Sequence, residues 1–550
     1  MVRMSSLDRS IFLSEAGTRT FDLLVIGGGA TGAGIALDAA SRGLETLVVE
    51  KQDFAGGTSS RSTKLIHGGL RYLKQLEIAL VREVGRERAI VHKLAPHLVV
   101  PEKMLLPLIK GGTYGKLATS AGLMVYDVLA GVEGEDQRIM LSKEDTLEKE
   151  PLLSENNLEG GGFYAEYRTD DARLTIEVLK TASSFGALCL NYLEVTSFTY
   201  SSEKKITGVS CKDVLTGEEF TVKAKQVVSA AGPWVDELRD KDKSLSNKHL
   251  HLTKGVHIVI PWEKLPVQQS IYFDVPDGRM IFAIPRGGVT YVGTTDTDYS
   301  GNKENPRTLV EDVQYLLDGV NHMFPDITLE VGDVESSWAG LRPLIHEEGK
   351  SASELSRKDE IFESKTGLVS IAGGKLTGYR KMAERTVDLV MKKLQKGGIK
   401  TRTQHLVLTG GEFGDVSSVA TFMDSLSQKL KKIGVSSPED EAKYLVENYG
   451  RQANQVLSLA AESGKEDPEE MLVIGEVNFT LRNEMVNSAM DFFSRRSGRL
   501  YFKIGSVRKY GELVVNHLAE RLGWTGERII REREKLQQAV FEASDFPVSV

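Results

Sequence analysis

The stretch FDLLVIGGGATGAGIALDAASRGLETLVVE, residues 21–50, decides the reading of this chain. Residues 21–26 are a short apolar run with β-branched members that stops at Gly27-Gly28-Gly29, the pattern of a buried parallel strand ending in a tight turn. Residues 30–42 carry small and apolar side chains at helical spacing, Gly43 ends that helix, and residues 46–50 (TLVVE) read as a second strand, which completes a β-α-β unit. Gly27, Gly29 and Gly32 then fall on G-x-G-x-x-G. That pattern is weak alone because glycine is common. Here it follows a strand, opens a helix and has Glu50 at the end of the next strand, which is the context a dinucleotide site needs. Gly27 permits the turn, Gly29 lets backbone approach a pyrophosphate, and Gly32 lets the helix lie close to the strand. The helix N-terminus presents N–H groups and partial positive charge to phosphates. Glu50 is placed to accept hydrogen bonds from an adenosine ribose, and its charge disfavours a 2′-phosphate and hence NADP. A chance glycine-rich turn is the competing reading, set aside on that context.

Working outward, residues 224–231 (AKQVVSAA) form another buried strand ending at Gly232-Pro233. Residues 368–372 (LVSIA) form a last one, ending at Gly373-Gly374 and opening a helix that runs to about residue 395. A long embedded cofactor needs several widely separated backbone contacts. A second helix N-terminus at Gly374 suits negative charge on a reduced flavin ring, so FAD is favoured over NAD. Residues 257–261, 280–285 and 289–294 predict an antiparallel sheet, and residues 195–209 with 219–223 a hairpin region around Thr216-Gly217. Residues 76–94 read as a surface helix and 173–186 as a helix followed by a strand at 187–192. The loop at 53–72 is rich in Gly, Ser and Thr, yet it holds Arg61, Lys64, His67 and Arg71, too many cations for a spacer. From about residue 410 the periodicity is helical and the charge density rises. The expected division is an N-terminal tail (1–20), an oxidoreductase region (21–400) and a helical domain (405–550). Within the oxidoreductase region, FAD-binding parts are expected near 21–75, 155–250 and 335–400, and a substrate domain near 76–154 and 251–334.

Composition narrows the function classes. Of 550 residues, Lys+Arg number 69 and Asp+Glu 77, a net charge of −8, so no global basic field exists and nucleic-acid binding is not expected. Hydrophobic residues at 41% and charged residues at 27% are a globular balance. Cys189 and Cys211 are the only cysteines, too few for a disulfide scaffold or a zinc site built from four cysteines, and both read as reduced thiols. Residues 1–20 contain no signal-peptide core, and no run of ~18 apolar residues predicts a spanning helix. His249, His251 and His257 have no partnering cysteines and few nearby carboxylates, and are not read as a metal site. Asp170-Asp171 reads as a helix N-cap rather than a catalytic carboxylate pair. No G-x-S-x-G accompanies the histidines, so a serine hydrolase is not supported. The cations Arg380, Lys381, Arg385, Lys392, Lys393 and Lys396 read first as a solvated helix face and second as a contact for an anionic membrane. Residues 105–129, with Lys110 and Lys116, are another candidate for membrane contact.

A set of collinear blocks resembles a known family: VIGGGATGAG (25–34), TSSRSTKLIHGGLRYL (58–73), SAAGPWVD (229–236), KGVHIVIP (254–261), VGTTDTDY (292–299), GLRPL (340–344) and IAGGKLTGYRKMAE (371–384). They are similar to the FAD-dependent glycerol-3-phosphate dehydrogenases of bacteria and their mitochondrial relatives. These lie within the glutathione-reductase-like or amino-acid-oxidase-like flavoproteins. The block at 67–72 is the most specific, and the C-terminal helices suit the bacterial form. The resemblance implies an α/β fold with a Rossmann-like FAD domain, a sheet-based substrate domain and a C-terminal helical domain. It implies oxidation of sn-glycerol 3-phosphate to dihydroxyacetone phosphate by hydride transfer from C2 to FAD N5, with electrons passed to a membrane quinone.

A phosphate-bearing substrate needs fixed cations, and the matching ones are Arg71, Arg279, Arg342 and Lys375, with Tyr72 and Thr294 as hydroxyl donors. A proton acceptor of near-neutral pKa points to histidine. His257 is the first choice and His67 the alternative, while Arg342 is a candidate for stabilising a developing alkoxide. Non-covalent FAD is expected on Gly27, Gly29, Gly32, Glu50, Thr58, Ser59, Lys64, His67, Val195, Ala231, Gly232, Gly373, Gly374, Lys375, Leu376 and Thr377. The implied location is cytoplasmic, on the inner face of the cell membrane. A homodimer is left open. The competing functions are an oxidase making hydrogen peroxide and a non-catalytic flavin-binding redox sensor. The family's oxidases carry a mid-chain insertion with no obvious counterpart here, and the expected cationic cluster speaks against a sensor.

Overall fold

The computed structural model describes residues 2–67, 78–112, 137–346, 359–415 and 417–548. At its centre the strands Val369–Gly373, Glu219–Ser229, Thr20–Ile26, Thr46–Val49 and Leu188–Leu190 lie parallel in that order, with Leu24 beside both Leu47 and Val227. Six of the seven residues of Thr20–Ile26 are buried, as a strand covered on both faces must be. The antiparallel strand Asp359–Glu363 forms one edge. The region 195–209 is not one strand but two, Leu193–Tyr200 and Ile206–Asp213, of which the second pairs with Glu219–Ser229 across the Thr216-Gly217 turn. The helix Ala30–Ser41 covers one face and packs against both Asp171–Ser184 and Tyr379–Lys393. Gly34 permits this closeness, since a Cβ there would stand 3.0 Å from the Tyr379 ring and 3.1 Å from Ala383 Cβ.

A second mixed sheet, ten-stranded among the described residues, has Leu250–Pro261 near one end, paired with Val289–Gly293 and Ser336–Ile345. Three of its strands, Leu65–Ile66, Leu158–Arg168 and Ser336–Ile345, come from segments that the sequence reading groups with the FAD-binding parts. Period-two alternation sorts Leu250–Pro261 by face. Val256, Ile258 and Ile260 pack with Val313, Leu316, Leu317 and Val320 of the helix Val310–Met323. His257 and Val259 therefore point to the opposite face, where Tyr291 and Trp338 lie with Val259.

Residues 1–20 are not a tail. The helix Arg9–Thr18 buries Phe12 and Ala16, and Arg9 closes a two-pronged pair with Asp213 at 2.7 and 3.0 Å. The helix Ile78–Leu94 is likewise not confined to the surface. Val81, Val84 and Val91 are buried, Glu87 receives Arg380 Nε at 2.7 Å and Arg88 donates to Glu166 at 3.0 Å. Beyond residue 417 the chain is helical, with two apolar cores that contain Leu445, Leu459 and Phe479, and Phe493, Val514 and Leu518. This part joins the rest through buried charge. Glu484 accepts from Arg173 at 2.7 and 2.9 Å and from Lys180 at 2.9 Å, and all three side chains are essentially inaccessible.

Candidate active site

Two cavities meet at the carboxyl ends of the parallel strands. The larger runs from Glu50, past Gly27, Gly29, Thr58, Ser59, Val195, Ala231 and Gly232, to Gly373, Gly374, Lys375 and Leu376. This is where an open parallel sheet takes its ligands. A Cβ on Gly32 would lie 1.9 Å from Gly27 O, so only glycine lets the helix Ala30–Ser41 start against the turn. The first N–H groups of a helix lack intrahelical acceptors. Ala30 N–H donates to Ser59 Oγ at 2.9 Å, and Thr31 lines the cavity. Glu50 accepts from the N–H groups of Gly28 and Gln52 at 2.8 and 2.9 Å, and burial pushes its carboxyl up.

The smaller cavity shares Thr58, Ser62, Pro343, Gly374, Lys375 and Leu376 with the first and continues to Thr63, His67, Thr377, His257 and Arg342. Arg342 is oriented from three sides: Nη2 donates to Thr294 Oγ1 at 2.9 Å, and Nη1 donates to Thr295 O at 3.2 Å and pairs with Asp296 at 3.0 Å. A Cβ on Gly255 would stand 2.3 Å from Arg342 Nη2, and one on Gly293 would stand 2.2 Å from His257 Cδ2. These two glycines make room for the Arg342 and His257 side chains. His257 is buried and its Nε2 lies 3.0 Å from Thr63 Oγ1. Its Nδ1 has no partner among the described residues. Burial, then the charges of Arg342 and Lys64, hold its pKa well below the ordinary histidine range.

Most of the expected residues converge here, and some do not. Lys64 does not reach either cavity. It is buried in an ion pair with Asp171 at 2.6 Å, with Asp170 at 3.5 Å. Arg279 also lies away from both cavities, paired with Asp277 at 2.6 Å and set over the Tyr315 ring. Thr294 does not line the cavity; its Oγ1 accepts from Arg342 Nη2. Arg71 and Tyr72 lie outside the described residues. Asp170 N-caps the helix Asp171–Ser184 through Arg173 N–H at 3.1 Å. The three histidines have separate partners: His249 stacks on His346, His251 pairs with Asp298 and His257 meets Thr63.

The basic helix Tyr379–Lys393 buries Met382, Val387 and Val390. Arg380, Lys381, Arg385 and Lys393 pair with Glu87, Glu384, Asp359 and Glu363, which leaves little of that face for a membrane. Of the apolar stretch 105–129, residues 105–109 belong to the sheet strand Val100–Ile109 and residues 113–129 lie outside the described set. Sequence reasoning missed Thr63, Asp296 and Trp338. Thr63 and Asp296 lie inside two of the quoted blocks, and Trp338 stands two residues before a third.

Residues 22–380 match the FAD dependent oxidoreductase family, and residues 401–529 match the C-terminal domain of alpha-glycerophosphate oxidase. The chain is 50% identical over 549 residues to the aerobic glycerol-3-phosphate dehydrogenase of Bacillus subtilis, covering 98% of each chain. It is 51% identical over 531 residues to that of Staphylococcus aureus, covering 95% of each. Among solved structures, the glycerol-3-phosphate dehydrogenase of Bacillus halodurans complexed with FAD aligns over 100% of both chains, with a TM-score of 0.86 and 45% identity. The L-alpha-glycerophosphate oxidase of Mycoplasma pneumoniae covers 70% of this chain and 97% of its own at a TM-score of 0.56 and 20% identity, a likeness of fold. With its nucleotide cavity, its adjoining cationic pocket and these relatives end to end, the chain belongs to the FAD-dependent oxidoreductases, in the family of the bacterial aerobic glycerol-3-phosphate dehydrogenases.

Proposed function

We propose that this chain oxidises sn-glycerol 3-phosphate to dihydroxyacetone phosphate where its two cavities meet, and passes the electrons to a membrane quinone. The observation that carries this reading is the shared wall at Gly374, Lys375 and Leu376, which sets the pocket of Arg342 and His257 against one end of the nucleotide cavity. The residues present fit FAD. Gly29 lines the cavity where a pyrophosphate needs a close backbone, Gly27 and Gly32 let the turn and the helix close up beside it, and Glu50 stands where the adenosine ribose falls. When bound, FAD supplies the acceptor for the hydride leaving C2.

The chain's own residues do the rest. Arg342, held by Thr294, Thr295 and Asp296, presents a planar fork suited to phosphate, and Lys375 adds a second cation. Arg71 and Tyr72 complete the binding set by resemblance. His257 is neutral at ordinary pH, because its pKa is held low, and so it is able to take the hydroxyl proton. Nε2 is bonded to Thr63, and Nδ1 is buried with no partner among the described residues. An entering phosphate offsets the charge of Arg342 and raises the proton affinity of the ring when a base is needed. His67, on the same cavity, is the alternative acceptor.

Transfer to quinone places the enzyme on the inner face of the cell membrane, peripherally. No helix among the described residues is long and apolar enough to cross a membrane. The match of the C-terminal part to an oxidase domain supports a second reading, with oxygen as acceptor and hydrogen peroxide as product.

One experiment tests substrate and acceptor together. Under anaerobic conditions sn-glycerol 3-phosphate bleaches the flavin absorbance of the purified protein and glycerol does not; a flavin band that survives the phosphorylated substrate overturns the assignment. On admitting air, slow return of colour fits the quinone-linked enzyme and fast return fits the oxidase.

A further inference from the structure

The turn that follows Glu50 is tied to the C-terminal helices by buried charge. Asp53 is 1% exposed; it accepts from Arg495 Nε at 2.5 Å, from Arg496 Nη1 and Nη2 at 2.6 and 2.9 Å, and from Asn191 Nδ2 at 2.8 Å. Arg496 is fully buried, and Arg495 reaches on to Asp491 at 2.8 Å. Neither arginine lines the nucleotide cavity.

From Asp53 the contacts run straight to the phosphate-binding turn. Gly56 N–H donates to Asp53 O at 3.0 Å and Ala55 N–H donates to Gly28 O at 3.0 Å. Phe54 is wedged under Gly28 so closely that a Cβ there would stand 2.6 Å from its ring. The next residues, Gly56 to Ser59, line the cavity.

We propose that Arg495 and Arg496 of the C-terminal domain are positioning residues for the cofactor: by fixing Asp53 they hold the 53–57 turn against Gly28 and keep the phosphate-binding turn in its binding shape. The proposal rests on FAD as the occupant of the cavity. Two cations on one carboxylate in a dry site bind it tightly, and removal of either leaves the remaining charges uncompensated. Linkage then requires that FAD binding and the arginine contacts strengthen each other equally.

The test follows FAD release from the full-length holoprotein by the rise in free-flavin fluorescence. Arg495→Gln is expected to speed release about tenfold or more, a typical size for coupling between sites. Arg495→Lys, which keeps the charge, restores part of the retention. Arg499→Gln is the control: it breaks an equally buried pair with Glu476 in the same domain, away from Asp53, and is expected to leave release near the parental rate. Parental release in Arg495→Gln, or equal acceleration in both variants, overturns the proposal.

Should Arg495→Gln fail to fold, hydrogen exchange on the unaltered chain decides. Adding FAD to the apoprotein is expected to slow exchange in residues 490–497 as well as in 27–32, and no change in 490–497 overturns the coupling. A parent chain that binds no FAD removes the cofactor reading and this one together. A parent that binds FAD, with a variant that retains it equally well, removes only this one.

Discussion

His257 stacks face to face on Trp338, with ring centroids 4.8 Å apart and planes 11° from parallel. The indole is itself fixed by donating Nε1–H to Ser62 O at 3.2 Å, and Thr63 holds His257 Nε2 from the side. The imidazole is therefore set by packing on one face and by a hydroxyl at one edge, without a carboxylate partner that would raise its pKa. His257→Asn is expected to lower the rate of anaerobic flavin reduction by about 10²- to 10⁴-fold, the usual worth of a positioned acid–base group. Stopped-flow absorbance measures it, and a variant that retains the parental rate would move the proton acceptor to His67.

Arg342 tests the recognition of phosphate. Lys at this position keeps the charge and loses the fork that Thr294, Thr295 and Asp296 orient. A hydrogen bond to a charged group is worth ~1.5–3 kcal/mol, so Arg342→Lys should raise the half-saturating substrate concentration by roughly 10- to 150-fold. Steady-state titration with sn-glycerol 3-phosphate reads this directly; an unchanged value would place the phosphate elsewhere, with Lys375 the next candidate.

Gly32→Ala addresses the cofactor cradle alone. The added Cβ would meet Gly27 O at 1.9 Å, and no side-chain motion relieves a clash between backbone and Cβ. The purified variant is expected to lose its flavin absorbance. A yellow variant with normal flavin content would show that the turn yields.

How much of this was legible in residue order differs from one feature to the next. The first β-α-β unit and its glycine turn depend on side chains within 30 residues of one another, and so periodicity and spacing expose them. Ion pairs such as Arg496–Asp53, 443 positions apart, leave no local trace. Lys64 was grouped with the cofactor loop because it lies among the loop's other cations, whereas Asp171 takes it at 107 positions' remove. Residues 9–18 read as a tail because Phe12 and Ala16 are buried only once the first sheet exists to receive them.

Stability should be acid-sensitive through buried neutral histidine. His97 has no partner for either ring nitrogen among the described residues, and burial, with Arg173 and Lys180 nearby, lowers its pKa to about 3. In the unfolded chain the ring titrates near ~6.5, so between these values the unfolded state binds a proton that the folded state does not. Stability present above about pH 6.5 is therefore lost as the pH falls towards 3, by about 2 kcal/mol at pH 5 from this group alone. His257 acts in the same direction. Thermal melts at pH 7.5 and pH 5 should show a smaller difference for His97→Gln than for the parent. An identical difference would assign the acid sensitivity to other groups.

The trio Arg173, Lys180 and Glu484 bears on how this protein tolerates being cut. Arg173 and Lys180 sit on a helix of the oxidoreductase part, and Glu484 comes from the C-terminal part. A truncation at the family boundary near residue 401 would remove Glu484 together with Tyr449 and Phe479, the rings that cover the two cations, and would open to water a face that is buried in the whole chain. In this chain the C-terminal part is thus fastened to the rest by charge as well as by apolar contact. Cutting it away leaves behind a surface built to be covered.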